Sequence, residues 1–237
     1  MVIVQNTYPD ENLVEMFLIQ DAVRRMGART ITLIIPYFGY ARQDRIFKPG
    51  EPESAKVMAR HLSMVCDRVM TVDIHKEAVL NHFDCPHRDL KAAPAIAGYF
   101  KGKNIDLVLA PDAGASARAA DVGEHMGIPH DHLEKIRLSG VDVRIAPAKM
   151  DCRGKNILIV DDIIATGGTI IAATEQLKEA GAKSVTVACT HGVFVGNAVE
   201  RLTGSNLDGI FCCNTLENKV SSISVAPLIA AALMEKE

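Results

Sequence analysis

At 237 residues the chain is longer than one average domain and shorter than two large ones. Hydrophobic residues make up 48% and charged residues 23%, a globular balance that excludes a disordered chain. The formal net charge of −3 leaves no global basic field to hold a nucleic-acid backbone, so phosphate recognition has to be local.

In chain order, β-type apolar runs fall at residues 2–5, 30–35, 68–73, 105–110, 143–146, 156–160, 184–190 and 209–214. Helical patterns lie between them. Leu13, Met16, Phe17, Gln20 and Val23 mark one apolar face, with Asp10 the expected N-cap behind Pro9. Ala55, Met58, Ala59, Leu62 and Val65 mark a second, and residues 115–126 and 170–180 are helices closed by Gly127 and Gly181. Strands alternating with helices predict parallel sheets covered on both faces. The pattern occurs twice, over 1–90 and 91–222, with a C-terminal helix over 223–237 expected to pack back on the first half. The first half then shows three strands and the second about five. Residues 2–5 read as an interior strand with only Met1 ahead of it, so the first sheet is expected to be incomplete.

Apolar runs such as 225–234 are too short to span a bilayer, and this one contains Pro227; residues 1–5 lack the pattern of a signal peptide. Six cysteines occur without a Cys-x-x-Cys pair, which reads as buried free thiols and a cytoplasmic protein.

The segment with the most chemistry is 157–170. Four apolar residues lead into Asp161 and Asp162, expected at the strand end, and then into the small-residue turn Thr166-Gly167-Gly168-Thr169 and a helix. Such a turn lets backbone N–H groups approach a phosphate with a helix N-terminus behind them. Carboxylates beside it suit hydroxyl groups, a metal or both, so the segment describes a sugar-phosphate site. It has neither the Gly-Lys-Ser/Thr of a P-loop nor Gly-x-Gly-x-x-Gly. Acids crowded at a strand end repel unless something cationic compensates.

Four further segments carry candidates. Residues 36–45 hold two of the four tyrosines, together with Arg42, Gln43, Asp44 and Arg45. Aromatic faces and guanidinium planes stack on bases and guanidinium forks meet phosphates, so a basic-aromatic cluster in an acidic protein leans toward a nucleotide; the plainer alternative is a loop whose aromatics cover the sheet end. Asp73 and His75, two apart at a strand end, share a face if extended and suit Mg²⁺ or a phosphate. Leu109-Ala110-Pro111-Asp112-Ala113-Gly114-Ala115 is a second strand–loop–helix junction, able to pass a diphosphate near its backbone. Residues 133–140 begin a β-ribbon returning at Val143, on which Lys135 and Arg137 point the same way and suit covering a transferring phosphoryl group. His130-Asp131-His132 alternates in direction and reads as structural.

These motifs, Tyr-Ala-Arg-Gln-Asp-Arg at 40–45, Asp-Ile-His at 73–75, Pro-Asp-Ala-Gly at 111–114, Leu-Glu-Lys-x-Arg at 133–137 and Asp-Asp-Ile-Ile-x-Thr-Gly-Gly-Thr at 161–169, resemble those of ribose-phosphate pyrophosphokinases, in the same order and across the chain. The 161–169 motif by itself also resembles type I phosphoribosyltransferases. The resemblance implies an α/β fold of two tandem type I phosphoribosyltransferase-like domains with parallel sheets, the first truncated. It implies transfer of a diphosphoryl group from ATP to the C1 hydroxyl of ribose 5-phosphate, giving AMP and 5-phosphoribosyl 1-diphosphate. Arg42, Gln43 and Asp44 would bind ATP, and His75 and Asp112 would hold Mg²⁺ with Asp73 in support. Asp161 and Asp162 would bind the ribose hydroxyls, Ala165, Thr166, Gly167, Gly168 and Thr169 the 5-phosphate, and Lys135 and Arg137 would stabilise the transition state. Many relatives carry a polar residue at the position of Ala165, and a Phe-Pro-Asp-Gly-Glu segment ahead of the first strand has no counterpart here. A homo-oligomer without nucleic-acid or membrane partners is expected. A non-catalytic regulatory paralogue and a phosphoribosyltransferase are the alternatives.

Overall fold

The computed structural model describes residues 1–137, 143–147 and 150–235. In chain order these form β1 (Val2–Val4), α1 (Glu11–Arg25), β2 (Thr32–Ile35), α2 (Ser54–Ser63), β3 (Arg68–Val72), β4 (His87–Leu90), α3 (Ala93–Phe100), β5 (Leu107–Ala110) and α4 (Ser116–Met126). There follow β6 (His130–Arg137), β7 (Val143–Pro147), β8 (Asn156–Ile164), α5 (Gly168–Glu179), β9 (Ser184–Gly192), α6 (Ala198–Thr203), β10 (Gly209–Cys213), β11 (Ser221–Ile223) and α7 (Ala226–Met234). The chain divides into two compact units, Met1–Lys91 with Ala231–Glu237, and Ala92–Ala230.

The first unit holds a parallel sheet in the order β1-β2-β3-β4. Leu13 and Met16 of α1 and Ala55, Ala59 and Leu62 of α2 pack with Leu33, Ile35 and Val69 of the sheet in one core. Phe17, expected on that face, lies at the margin of the apolar stripe and is 39% exposed. Asp10 makes no side-chain cap; its carboxylate accepts a hydrogen bond from the Tyr40 hydroxyl at 2.7 Å and ties the helix start to the loop after β2. The expectation of three strands is corrected to four. His-Arg-Asp-Leu of β4 buries only Leu90, so its hydrophobic pattern is silent, and backbone pairing with β3 defines it. β1, expected in the interior, is the end strand of the described sheet, with Ile3 buried between exposed Val2 and Val4. Just past α7, Glu235 pairs with Arg88 of β4.

The second unit holds a sheet in the order β11-β10-β9-β8-β5-β6-β7, parallel except for the antiparallel β6–β7 ribbon. Leu107 and Leu109 of β5, Ile157 and Ile159 of β8 and Val185 and Val187 of β9 meet Ile170, Ala173 and Leu177 of α5. Alternate strand positions thus supply the sheet side of the core, and i, i+3 and i+7 positions the helix side. β8 runs to Ile164, beyond the expected end at 160, and so takes in both acids. β11, a polar Ser-Ser-Ile edge strand, carries no apolar pattern that would announce it in the sequence. All six cysteines are free, five of them buried.

Candidate active site

The second sheet places the site. From β5 the chain moves outward to β6 and β7, then returns to the other side of β5 as β8. The strand order therefore reverses between β5 and β8, which pair in register from Leu107↔Ile157 to Leu109↔Ile159. Loops leaving adjacent strands at such a point diverge to opposite faces and open a crevice at the carboxyl ends. The loop at 111–115 follows β5, and that at 165–167 follows β8.

The second loop is built to expose backbone. Gly167 has φ +74°, and a Cβ there would lie 2.9 Å from Leu202 Cγ and Cδ1, so both conformation and space demand glycine. The Ala165 carbonyl accepts from Val195 N–H at 2.9 Å and the Thr166 carbonyl from Arg201 at 3.5 Å, which braces the turn from behind. α5 starts at Gly168 with no acid in its first turn, leaving its positive end for an anion. Thr166 and Thr169 are exposed and Ala165 is half-buried.

Asp161 and Asp162 lie inside β8 rather than at its end, and their carboxyl groups remain close enough to interact. Asp161 is partly exposed, and its Oδ1 accepts from the Asp162 N–H at 2.9 Å. Asp162 is buried: Oδ1 accepts from the Ile163 N–H at 2.9 Å, and Oδ2 lies 3.2 Å from the Arg118 guanidinium of α4. Burial first and the neighbouring Asp162 charge second push the Asp161 carboxyl well above the usual carboxylate range, and Arg118 pulls it back. Opposite Asp161 in register is the buried Cys189 of β9, whose thiol burial holds in its neutral form.

In the first loop, Asp112 is exposed and its Oδ1 accepts from the Ala115 N–H at 3.1 Å. The carboxylate folds over Gly114, where a Cβ would lie 3.0 Å from Oδ1.

The remaining candidates belong to the first unit. After β2, Tyr37 and Phe38 are buried and Tyr40 packs against the core, so the aromatics cover the sheet end instead of offering faces to a base. Arg42 is exposed, and Gln43 and Asp44 are half-buried. Gln43 Nε2 donates to the Arg45 carbonyl at 3.2 Å, and Glu51 accepts from Phe47 and Lys48 N–H at 3.1 and 3.0 Å, giving the loop internal order. Beyond β3, Asp73 has φ +42°, so Asp73 and His75 do not share an extended face as expected. Asp89 of β4 holds this turn, accepting from Thr71 Oγ1 at 2.7 Å and Ile74 N–H at 2.9 Å.

Comparison with known proteins gives these loops their kinship. A family model described as the N-terminal domain of ribose phosphate pyrophosphokinase matches residues 1–65, and one described as the phosphoribosyl transferase domain matches 89–226. The ribose-phosphate pyrophosphokinase of Pyrococcus abyssi is 43% identical over 239 residues, covering 100% of this chain and 83% of its own. The chain belongs to the ribose-phosphate pyrophosphokinase family. The enzyme of the same name from Methanopyrus kandleri is 40% identical, over 98% of this chain and 82% of its own. The crystal structure of phosphoribosylpyrophosphate synthetase from Mycobacterium smegmatis superposes with a TM-score of 0.83 at 31% identity, over 98% of this chain and 80% of that one.

Within this family frame, β6 and β7 form the expected ribbon, with Lys135 opposite Ile145 and Arg137 opposite Val143; the side chains of Lys135 and Arg137 lie outside the described residues. At its base, buried Asp131 accepts from the N–H groups of His132 and Met150, a structural use of that segment. Sequence reasoning missed Arg118 and Asp89. A signal for Arg118 existed: a cation in the first turn of a helix opposes the macrodipole and calls for an acidic partner. Asp89 gave none, because β4 itself was not legible.

Proposed function

We infer that the chain transfers the diphosphoryl group of ATP to the C1 hydroxyl of ribose 5-phosphate, releasing AMP and forming 5-phosphoribosyl 1-diphosphate. The observation that carries the inference is the pair of phosphate-suited loops at the reversal point of the second sheet, in a chain matched along its length by the pyrophosphokinase family. The match to an N-terminal pyrophosphokinase domain over 1–65 disfavours a phosphoribosyltransferase. Neither the matches nor the site favours a non-catalytic paralogue.

In this reading the second unit binds ribose 5-phosphate. Backbone N–H groups from Ala165 to Thr169 and the start of α5 take the 5-phosphate, and the half-exposed Asp161 accepts hydrogen bonds from ribose hydroxyls. Burial beside Arg118 gives Asp162 the part of holding the strand end rather than a second sugar contact. The first unit binds ATP through Arg42, Gln43 and Asp44. Lys135 and Arg137 neutralise charge developing on the transferring group. Catalysis is then positioning plus electrostatics, and no general base is assigned.

Mg²⁺ is the proposed cofactor. Among the described residues no three ligating side chains form a cluster. Mg²⁺ keeps much of its water and is held by one or two protein groups together with substrate phosphates. Asp112, exposed at a strand end, offers such an oxygen, and His75 is proposed to offer a nitrogen. When bound, the ion neutralises phosphate charge. No helix among the described residues is long and apolar enough to cross a membrane. A cytoplasmic location accords with six free cysteines, and homo-oligomerisation with exposed Val14, Phe17 and Leu18 on α1.

The test is AMP release from ATP with Mg²⁺, with and without ribose 5-phosphate. Release that requires the sugar phosphate is expected; sugar-independent release, or diphosphate release that requires a nucleobase, contradicts the reading.

A further inference from the structure

The first unit holds two thiols in contact. Cys66 follows α2 and Cys85 precedes β4, 19 positions later in the chain, and their sulfurs lie 3.7 Å apart. Cys66 is buried at 7% exposure, with its Sγ 3.3 Å from the Leu62 carbonyl oxygen, whereas Cys85 is half-buried and reaches solvent. The segments that carry them are already joined without a covalent bond. Ser63 Oγ, at the end of α2, donates to the Ala59 carbonyl at 2.7 Å and accepts from the Asp84 N–H at 3.1 Å. Both cysteines pack in the core that α2 shares with the sheet. Disulfide sulfurs stand roughly 2.05 Å apart, so the remaining closure is about 1.7 Å between two side chains.

We propose that Cys66 and Cys85 are an oxidation site, at which a small neutral peroxide oxidises Cys85 and Cys66 resolves the product to a disulfide that clamps α2 to the entry of β4. Exposure and hydrogen bonding give the two sulfurs different parts. Burial raises both thiols, Cys66 up to about 12, while hydrogen bonds from Cys66 and Ser63 pull Cys85 back. Cys85 is therefore the sulfur that an oxidant reaches and the one that loses its proton more readily. Its thiolate attacks one peroxide oxygen, the O–O bond breaks, and the departing hydroxide takes up the thiol proton as water, leaving a sulfenic acid. The Cys66 sulfur then attacks the Cys85 sulfur, the S–O bond breaks, and hydroxide leaves as water with the Cys66 proton. Two thiols lose two hydrogens and one peroxide becomes two waters. The carboxylates of Asp67 and Asp84 add negative charge at Cys85, which favours a neutral peroxide over an anionic oxidant. The thiols of the second unit are placed differently. A hydrogen bond with Cys189 draws Cys212 down to about 6, yet Cys189, Cys212 and Cys213 are all 0% exposed and shielded from an oxidant.

The test treats the ligand-free wild-type chain with hydrogen peroxide and follows it by non-reducing peptide mapping and by thermal unfolding. A linked pair of peptides carrying Cys66 and Cys85 is expected as the first oxidised product, lost again on addition of dithiothreitol. The oxidised chain should show a Tm raised by roughly 5–15 °C, the scale for restricting the unfolded chain of a small domain by one loop of this length. Cys66→Ala should leave Cys85 as a sulfenic acid that dimedone traps, and Cys85→Ala should leave Cys66 unmodified at the same dose. Neither variant should gain Tm on oxidation. A sulfinic acid at wild-type Cys85 without a disulfide, a first disulfide between Cys189 and Cys212, or an oxidised wild type with unchanged Tm overturns the proposal. Mapping and unfolding of the wild type decide the matter even where an alanine variant does not fold. These readouts involve neither ATP nor ribose 5-phosphate, so they stand apart from the activity proposed above.

Discussion

Gly167 and Gly168 are neighbours in one turn, yet the structure assigns them opposite responses to alanine. Gly167 carries φ +74°, where an L side chain costs roughly 1–2 kcal/mol. Its added Cβ would also fall 2.9 Å from two atoms of Leu202, which is fully buried on α6 and has no free end to swing away. Overpacking of that kind adds about 1–3 kcal/mol, so Gly167→Ala is expected to destabilise the chain by about 2–5 kcal/mol. Gly168 has no positive φ, and the nearest atom to the place an alanine Cβ would take is Thr166 Oγ1 at 4.0 Å. As the first residue of α5 it should gain about 0.5 kcal/mol from alanine through the unfolded chain. Urea and thermal unfolding of both variants without ligand give the comparison. A Gly167→Ala chain within about 0.5 kcal/mol of wild type, or a Gly168→Ala chain destabilised as much as Gly167→Ala, refutes the geometry assigned to this turn.

Asp161 supplies a pH signature. Its folded-state pKa is raised above the unfolded carboxylate value, so between those values the folded chain binds the extra proton and stability falls as pH rises. Asp161→Asn should flatten that slope and weaken ribose 5-phosphate by roughly 1.5–3 kcal/mol, the scale for hydrogen bonds to a charged group. Wild-type binding should release a proton, seen as a buffer-dependent enthalpy that the Asn variant lacks; a buffer-independent wild type contradicts the assignment. Lys135→Ala should slow diphosphoryl transfer by about 10²–10³ with little change in ribose 5-phosphate KM, as expected for a group that acts on developing charge. Near-normal turnover by that variant removes Lys135 from the mechanism.

The sequence alone determined what depends on local chemistry: the alternation of strands and helices, the small-residue turn at 166–169, and the motif order that places the chain in its family. Periodicity and turn chemistry carry such features within a short window, so they survive without knowledge of the fold. The tertiary structure decided where those residues point. Two adjacent acids read as a pair at a strand end, and β8 took both in, burying Asp162 against a guanidinium and leaving Asp161 only partly exposed beside it. Tyr37 and Phe38 read as ligand surfaces, and the sheet end claimed them as core. Asp73 and His75 read as an extended pair, and a positive φ held by Asp89 turned them apart. Asp89 and Arg118 lie far in sequence from the residues they hold, and edge strands such as β4 and β11 bury too little to leave a hydrophobic pattern. Their contribution comes from backbone pairing and from charges brought together across the chain, which no local window contains.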